Sequence, residues 1–124
     1  MIVDDNEDVI LAFKVGLEDS NNSVNVNQRI EVHTSNDPPL ALLEFKSNFY
    51  DLLLFDISMS HMNGFELYEK MLAIDINVKV CFMSSGKINR EALREIYPAI
   101  SVGCFIRKPV TIGYLVKRTM SELD

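Results

Sequence analysis

Residues 52–64 read LLLFDISMSHMNG. Leu52 to Phe55 run without a charge or a turn residue between them. A short unbroken apolar run of this kind predicts a strand buried on both faces, as in a parallel sheet covered by helices. A carboxylate, Asp56, follows at once. Burying a charge at the end of such a strand is costly unless a partner neutralises it. The carboxyl ends of the strands in open α/β sheets are also where ligands bind. From this stretch alone Asp56 is either a turn or helix cap or the centre of a site, and the rest of the chain has to decide.

The chain has 124 residues, 48% of them hydrophobic, with a formal net charge of -6. That length suits one domain with a real core, and the composition argues against disorder. An acidic chain repels the phosphate backbone, so direct nucleic-acid binding is not expected. No apolar stretch approaches the length that spans a bilayer, and the start, MIVDDNED, lacks the basic region of a signal peptide. A cytoplasmic location with no membrane partner is the expectation. Cys81 and Cys104 each sit in an apolar, strand-like run and read as buried reduced thiols, not as a disulfide or metal site.

Working outward from Leu52, the chain alternates strands and helices. Met1–Val3 is a short first strand, clipped against the usual five or six residues. Val9, Ile10, Phe13 and Leu17 mark a helix over Asp8 to Glu18. The Asn-rich segment Asp19–Asn27 is a loop, although Val24 and Val26 keep period two with Ile30 and Val32. Ile30–Thr34 is the second strand. Asp37 followed by Pro38 is an N-cap and a first-turn proline, opening a helix to about Lys46. Past Gly64, residues Phe65, Tyr68, Met71 and Leu72 mark the third helix. Val78–Met83 is the fourth strand. Asn89 caps a helix stopped before Pro98, Val102–Ile106 is the fifth strand, and Thr111 caps the last helix. The alternation predicts an α/β fold, a doubly wound five-stranded parallel sheet with five helices on two faces and right-handed crossovers. Residues 1–124 are expected to form a single domain.

Polar residues collect where those strands end: Asp4 and Asp5, then Asp56, Ser84 and Lys108. A doubly wound sheet brings these ends to one edge. Three carboxylates there repel one another and call for a cation, and an oxygen-only ligand set suits Mg²⁺. A lysine and a hydroxyl beside the metal suit a transferring phosphoryl group. A carboxylate can itself be the nucleophile, forming an aspartyl phosphate.

Four pieces, IVDD at 2–5, DLLLFDISMSHMNGFEL at 51–67, VCFMSSG at 80–86 and FIRKP at 105–109, occur in the order and near the spacing of one family. The chain resembles a response-regulator receiver domain of two-component signalling, chemotaxis-regulator-like, over essentially its whole length. The resemblance implies the flavodoxin-like strand order 2-1-3-4-5. It makes Asp56 the phosphoacceptor, Asp5 a direct metal ligand, Asp4 the second acid, and the backbone carbonyl of Ser58 a third protein ligand. Mg²⁺ is the implied cofactor, with Mn²⁺ able to substitute. Ser84 and Lys108 match the residues that bind the phosphoryl group, and the bond after Lys108 is usually cis in this family. Phe105 falls on the aromatic switch position. The implied partners are a histidine kinase or phosphotransfer protein and a downstream protein that reads the face of helix 4, strand 5 and helix 5. A monomer or weak dimer is expected, acting as no enzyme beyond its own phosphorylation and dephosphorylation.

Some positions depart from the family pattern. Ser60 stands where a loop proline is usual, Asn63 where an acid is usual, and Cys104 where an acid commonly precedes the switch aromatic. Two other functions fit the fold. A phosphorylation-independent interaction module would lack one of the acids, the lysine or the hydroxyl, and all are present here. A hydrolase with an aspartyl nucleophile needs a second Asp two residues on, and that residue is Ser58. His33 and His61 have no Cys or His at ligand spacing and read as non-functional. Met59, Met62, Met71 and Met83 read as core and loop filler.

Overall fold

The computed structural model describes residues 1–19, 29–98 and 104–123. Its strands are β1 (Ile2–Val3), β2 (Thr34–Ser35), β3 (Leu52–Asp56), β4 (Lys79–Ser84) and β5 (Phe105–Arg107). Its helices are α1 (Glu7–Asp19), α2 (Pro38–Glu44), α3 (Gly64–Leu72), α4 (Arg90–Ile96) and α5 (Ile112–Leu123). The strands form one parallel sheet in the order β2-β1-β3-β4-β5. This is the doubly wound flavodoxin-like arrangement expected above.

Strand alternation sorts the core into two halves. Leu52 and Leu54 of β3, with Cys81 and Met83 of β4, pack with Phe13 and Leu17 of α1 and Leu115 of α5. Leu53 and Phe55, with Val80 and Phe82, pack with Ala41 of α2 and Leu67 and Met71 of α3. Each central strand thus buries both of its faces, which is why its sequence is apolar without alternation.

Helix starts follow the local signals. Asp37 accepts from the Leu40 amide and Pro38 fills the first turn of α2. Asn89 accepts from the amides of Glu91 and Ala92, and Thr111 Oγ1 accepts from the Tyr114 amide. Asn63 caps α3 by accepting from the Glu66 amide. The side chain of Asn6 accepts from the amides of Asp8 and Val9 at the start of α1.

Three expectations need correction. The second strand is Thr34–Ser35 and not Ile30–Thr34, because its pairing with the two-residue β1 sets Ile2 opposite Thr34 and Val3 opposite Ser35. Val24 and Val26 lie outside the described residues. The fifth strand is described from Phe105, ending at Arg107, and Val102 lies outside the described residues. Cys81 and Cys104 are joined in a disulfide and are not free thiols. The cause is register. Phe82 lies opposite Phe105 and the Phe82 amide donates to the Cys104 carbonyl, so the two cysteines are cross-strand neighbours with Cα atoms 4.6 Å apart, within disulfide reach.

Asp75 is buried after α3, where its carboxylate accepts from the amides of Asn48 and Asn77, each at 3.0 Å. It ties the loop before β3 to the loop before β4. Asp75→Ala removes both hydrogen bonds to this buried carboxylate and unties the two loops. It should lower stability by about 2–3 kcal/mol, read as a lower urea midpoint with an unchanged slope.

Candidate functional site

The carboxyl ends of β1, β3, β4 and β5 meet at one edge of the sheet. β1 delivers Asp4, which is almost fully buried, and Asp5, which is exposed. β3 ends on Asp56, only 9% exposed. Carboxylate oxygens of Asp4, Asp5 and Asp56 all lie within 4.8 Å of one another. Lys108, just past β5, places its Nζ 2.6 Å from Asp4 Oδ2 and 3.2 Å from Asp56 Oδ1. The Lys108–Pro109 bond is cis. The Lys108 amide donates to the Ser84 carbonyl at 2.8 Å, which continues the β4–β5 ladder to the residues that close the site.

Electrostatics follow from this crowding. Burial pushes the Asp56 carboxyl above its ordinary 3.8, the Asp4 charge adds to this, and Lys108 only partly offsets it. Burial works against the Lys108 ammonium. Its hydrogen bonds and charge contacts with Asp4 and Asp56 outweigh that and hold it above its ordinary 10.5. Three carboxyl groups thus share one ammonium, an excess of acidic over basic groups. A set of hard oxygen donors with excess negative charge fits a small divalent cation.

Sequence-expected residues come together here with two qualifications. Ser84 ends β4 at this edge, but its hydroxyl is folded back into a local turn, accepting from the Gly86 amide at 3.1 Å and donating to the Gly86 carbonyl. Ser58 sits exposed in the loop after β3, lining the same open groove as Asp5 and Ser84. Phe105 is half-buried at the next position along, against Phe82 at 5.8 Å between ring centroids, with the Arg90 guanidinium 5.4 Å over its ring.

Two roles were not foreseen. Ser60 holds Asp5 through its amide at 3.1 Å and its hydroxyl at 3.3 Å. A proline there would have had no amide to give, so the loss of the usual residue supplies a tether. Asn63, besides capping α3, donates to the Tyr97 hydroxyl at 3.2 Å, linking the β3–α3 loop to the end of α4. The Ser-for-Pro departure was the only signal for the first, and nothing local signals the second.

Gly64 opens α3 immediately behind the acid. Its amide donates to the Ile57 carbonyl, and a Cβ there would come within 2.4 Å of the Asp56 carbonyl oxygen. The obstacle is backbone and cannot swing away. Gly64→Ala should therefore cost about 3 kcal/mol, visible in thermal unfolding, and displace the backbone of Asp56.

Against known proteins, the model of the response regulator receiver domain family matches residues 1–120. The chain belongs to the response regulator receiver domain family. As such it is the phosphoryl-accepting type of module that two-component response regulators use in signal transduction, and phosphorylation and magnesium are characteristic of the family. Among curated relatives, this receiver domain is 27% identical over 125 residues to the nisin biosynthesis regulatory protein NisR of Lactococcus lactis subsp. lactis. It is also 27% identical to the transcriptional regulatory protein PrrA of Mycobacterium tuberculosis. The matches cover 99% of this chain and 49% and 48% of those proteins, so it spans about half the length of these relatives. Among solved structures, a CheY-like receiver domain protein from Methanospirillum hungatei superposes with a TM-score of 0.80 at 25% identity, covering 99% of this chain and 90% of that one. The non-phosphorylated HemR receiver domain from Leptospira biflexa gives 0.81 at 21%, covering 99% and 91%. No helix among the described residues is long and apolar enough to cross a membrane.

Proposed function

We propose that Asp56 of this receiver domain is the phosphoacceptor, and that its phosphorylation changes which proteins the domain binds. The observation that carries this reading is Lys108 Nζ lying between the carboxylates of Asp4 and Asp56 inside a three-acid cluster. A carboxylate oxygen of Asp56 attacks phosphorus, and the bond from phosphorus to the donor's leaving atom breaks as the new P–O bond forms. Lys108 then sits beside the transferred group and neutralises its charge. Ser84 gives up its turn with Gly86 and donates its hydroxyl to a phosphoryl oxygen.

Asp5, Asp56 and the Ser58 carbonyl would hold Mg²⁺, or Mn²⁺, with Asp4 as the second acid. The ion, when bound, offsets the charge of the carboxylates and of the incoming phosphoryl oxygens. Ser60 keeps Asp5 in position for it. A cation that relieves repulsion in the folded state stabilises that state. The melting temperature should therefore rise with millimolar Mg²⁺, and an indifferent melting temperature would remove the metal site.

The phosphodonor is a histidine kinase, a phosphotransfer protein or a small acyl phosphate, and no external substrate is turned over. Only the domain's own phosphorylation and dephosphorylation occur. The downstream partner docks on the α4–β5–α5 face, where Arg90, Arg94, Arg107 and Lys117 alternate with Glu91 and Glu95. Phosphorylation shifts this face by drawing Ser84 in and freeing Phe105 to turn from beneath Arg90. The domain acts from the cytoplasm as a monomer or weak dimer, without contacting nucleic acid itself, and residues 1–124 form one unit. Incubation with acetyl phosphate and Mg²⁺, followed by gel retardation of the phosphorylated form, tests the reading. A chain that takes up no acid-stable, base-labile phosphate does not act this way.

A further inference from the structure

The disulfide lies at the seam that the proposed switch must move. Cys81 is three residues before Ser84 on β4, and Cys104 immediately precedes Phe105. Both are buried on the α1–α5 side of the sheet, whereas Phe105 packs on the other side. β5 is the edge strand of the sheet and is three residues long. A covalent link at its start pins it to β4 where hydrogen bonds alone would hold it weakly. A carboxylate oxygen of Glu122 on α5 lies within 4.8 Å of both sulfurs, a proton acceptor at hand for a thiol. Two-thiol couples of this kind, in compartments that keep most thiols reduced, serve as redox sensors more than as staples.

We propose that Cys81 and Cys104 form a reversible dithiol–disulfide couple whose oxidised form staples β5 to β4 and holds Phe105 in its resting place. The part concerning Phe105 rests on the switch proposed above. The oxidant is a low-molecular-weight disulfide. One cysteine loses its proton, by way of Glu122 or water, and its sulfur attacks a sulfur of the oxidant. The oxidant's S–S bond breaks and its first half leaves as a thiol, taking up that proton. The second cysteine sulfur then attacks the protein sulfur of the mixed disulfide, releasing the other half as a second thiol with the second proton. The protein loses two electrons and two protons, and the oxidant gains them. Because both sulfurs are buried, exchange waits on local opening of the edge strand and should be slow. Glu122→Gln should slow it further without changing the end point.

The full chain, equilibrated in mixtures of reduced and oxidised glutathione, then acid-quenched and alkylated, reads the couple by mass. The expected result is passage between doubly alkylated and unalkylated chains as the ratio changes, reversible in both directions. Thiols that stay alkylatable at every ratio, or end as glutathione adducts, overturn the couple. Amide exchange over residues 104–107 should be about tenfold slower in the oxidised chain, and equal rates overturn the staple. Beryllofluoride with Mg²⁺ should alter exchange at Phe105 in the reduced chain and leave it unaltered in the oxidised one. An equal response in both forms overturns the hold on Phe105. If neither form is labelled by acetyl phosphate, the phosphoacceptor reading falls, while alkylation and exchange still judge the couple. Cys81→Ala and Cys104→Ala, made separately, should each abolish the oxidised form, which guards against one variant failing to fold.

Discussion

Asp56→Asn should take up less than about one thousandth of the phosphate that the parent takes up from acetyl phosphate. The amide keeps the size and polarity of the side chain but has no anionic oxygen to attack phosphorus. The same substitution should make the metal-free protein more stable at neutral pH. Asp56 has its carboxyl pushed above the ordinary 3.8 by burial and by Asp4. A raised carboxyl pKa means that the folded state holds the proton more tightly than the unfolded chain. The contribution to stability is present below the unfolded value and lost as pH rises through the folded one. The neutral amide escapes that loss. Urea unfolding at pH 7 without Mg²⁺ should therefore show a higher midpoint for Asp56→Asn, and the gap should close at acid pH. Stoichiometric acyl-type phosphate on the Asn variant would end the assignment, and a lower midpoint would contradict the repulsion.

Lys108→Met should do the reverse to stability. It keeps much of the apolar stem but leaves Asp4, which is 1% exposed, and Asp56 without their shared counter-charge. Removing one partner of a buried ion pair strands the other's charge. Lys108 keeps partial access to solvent, so a cost of about 2–3 kcal/mol is expected in metal-free buffer, with Mg²⁺ restoring part of it. The parent's Lys108 is held above its ordinary 10.5. Its stabilising contribution is therefore complete below that pH and is lost only as pH rises through the folded value. Parent and variant should stay apart throughout the neutral range and converge in strong alkali, where the ammonium loses its proton. Phosphate uptake should also fall, since no cation then sits beside the acceptor oxygen. A variant as stable as the parent without metal would mean that the Asp4–Lys108–Asp56 contacts contribute nothing net.

Much of this was open to reading in one dimension. The unbroken Leu52–Phe55 run suits a strand covered on both sides. The caps at Asp37, Asn89 and Thr111 are local chemistry, set by side chains reaching amides two or three residues on, so they needed no tertiary information. The acids, hydroxyl and lysine were identified by their places at strand ends, because a parallel sheet gathers those ends whatever the loops do.

Other features depended on contacts between distant residues. That Lys108 reaches Asp4 across 104 positions of chain depends on where β5 stands relative to β1. That Ser60 tethers Asp5 depends on how the β3–α3 loop turns back over β1. The pairing of Cys81 with Cys104 was missed because period-two patterning says which face a residue takes and not which neighbour lies opposite it. Only the register of β4 against β5 brings those two Cα atoms within 4.6 Å. By itself, then, the sequence determined the strand and helix order, the covered sheet and the set of residues at its carboxyl edge, because these follow from local periodicity and capping. The tertiary structure decided which of those residues touch, how far Asp56 is buried and whether two thiols become one bond, because each depends on strand register and loop path, which no local pattern encodes.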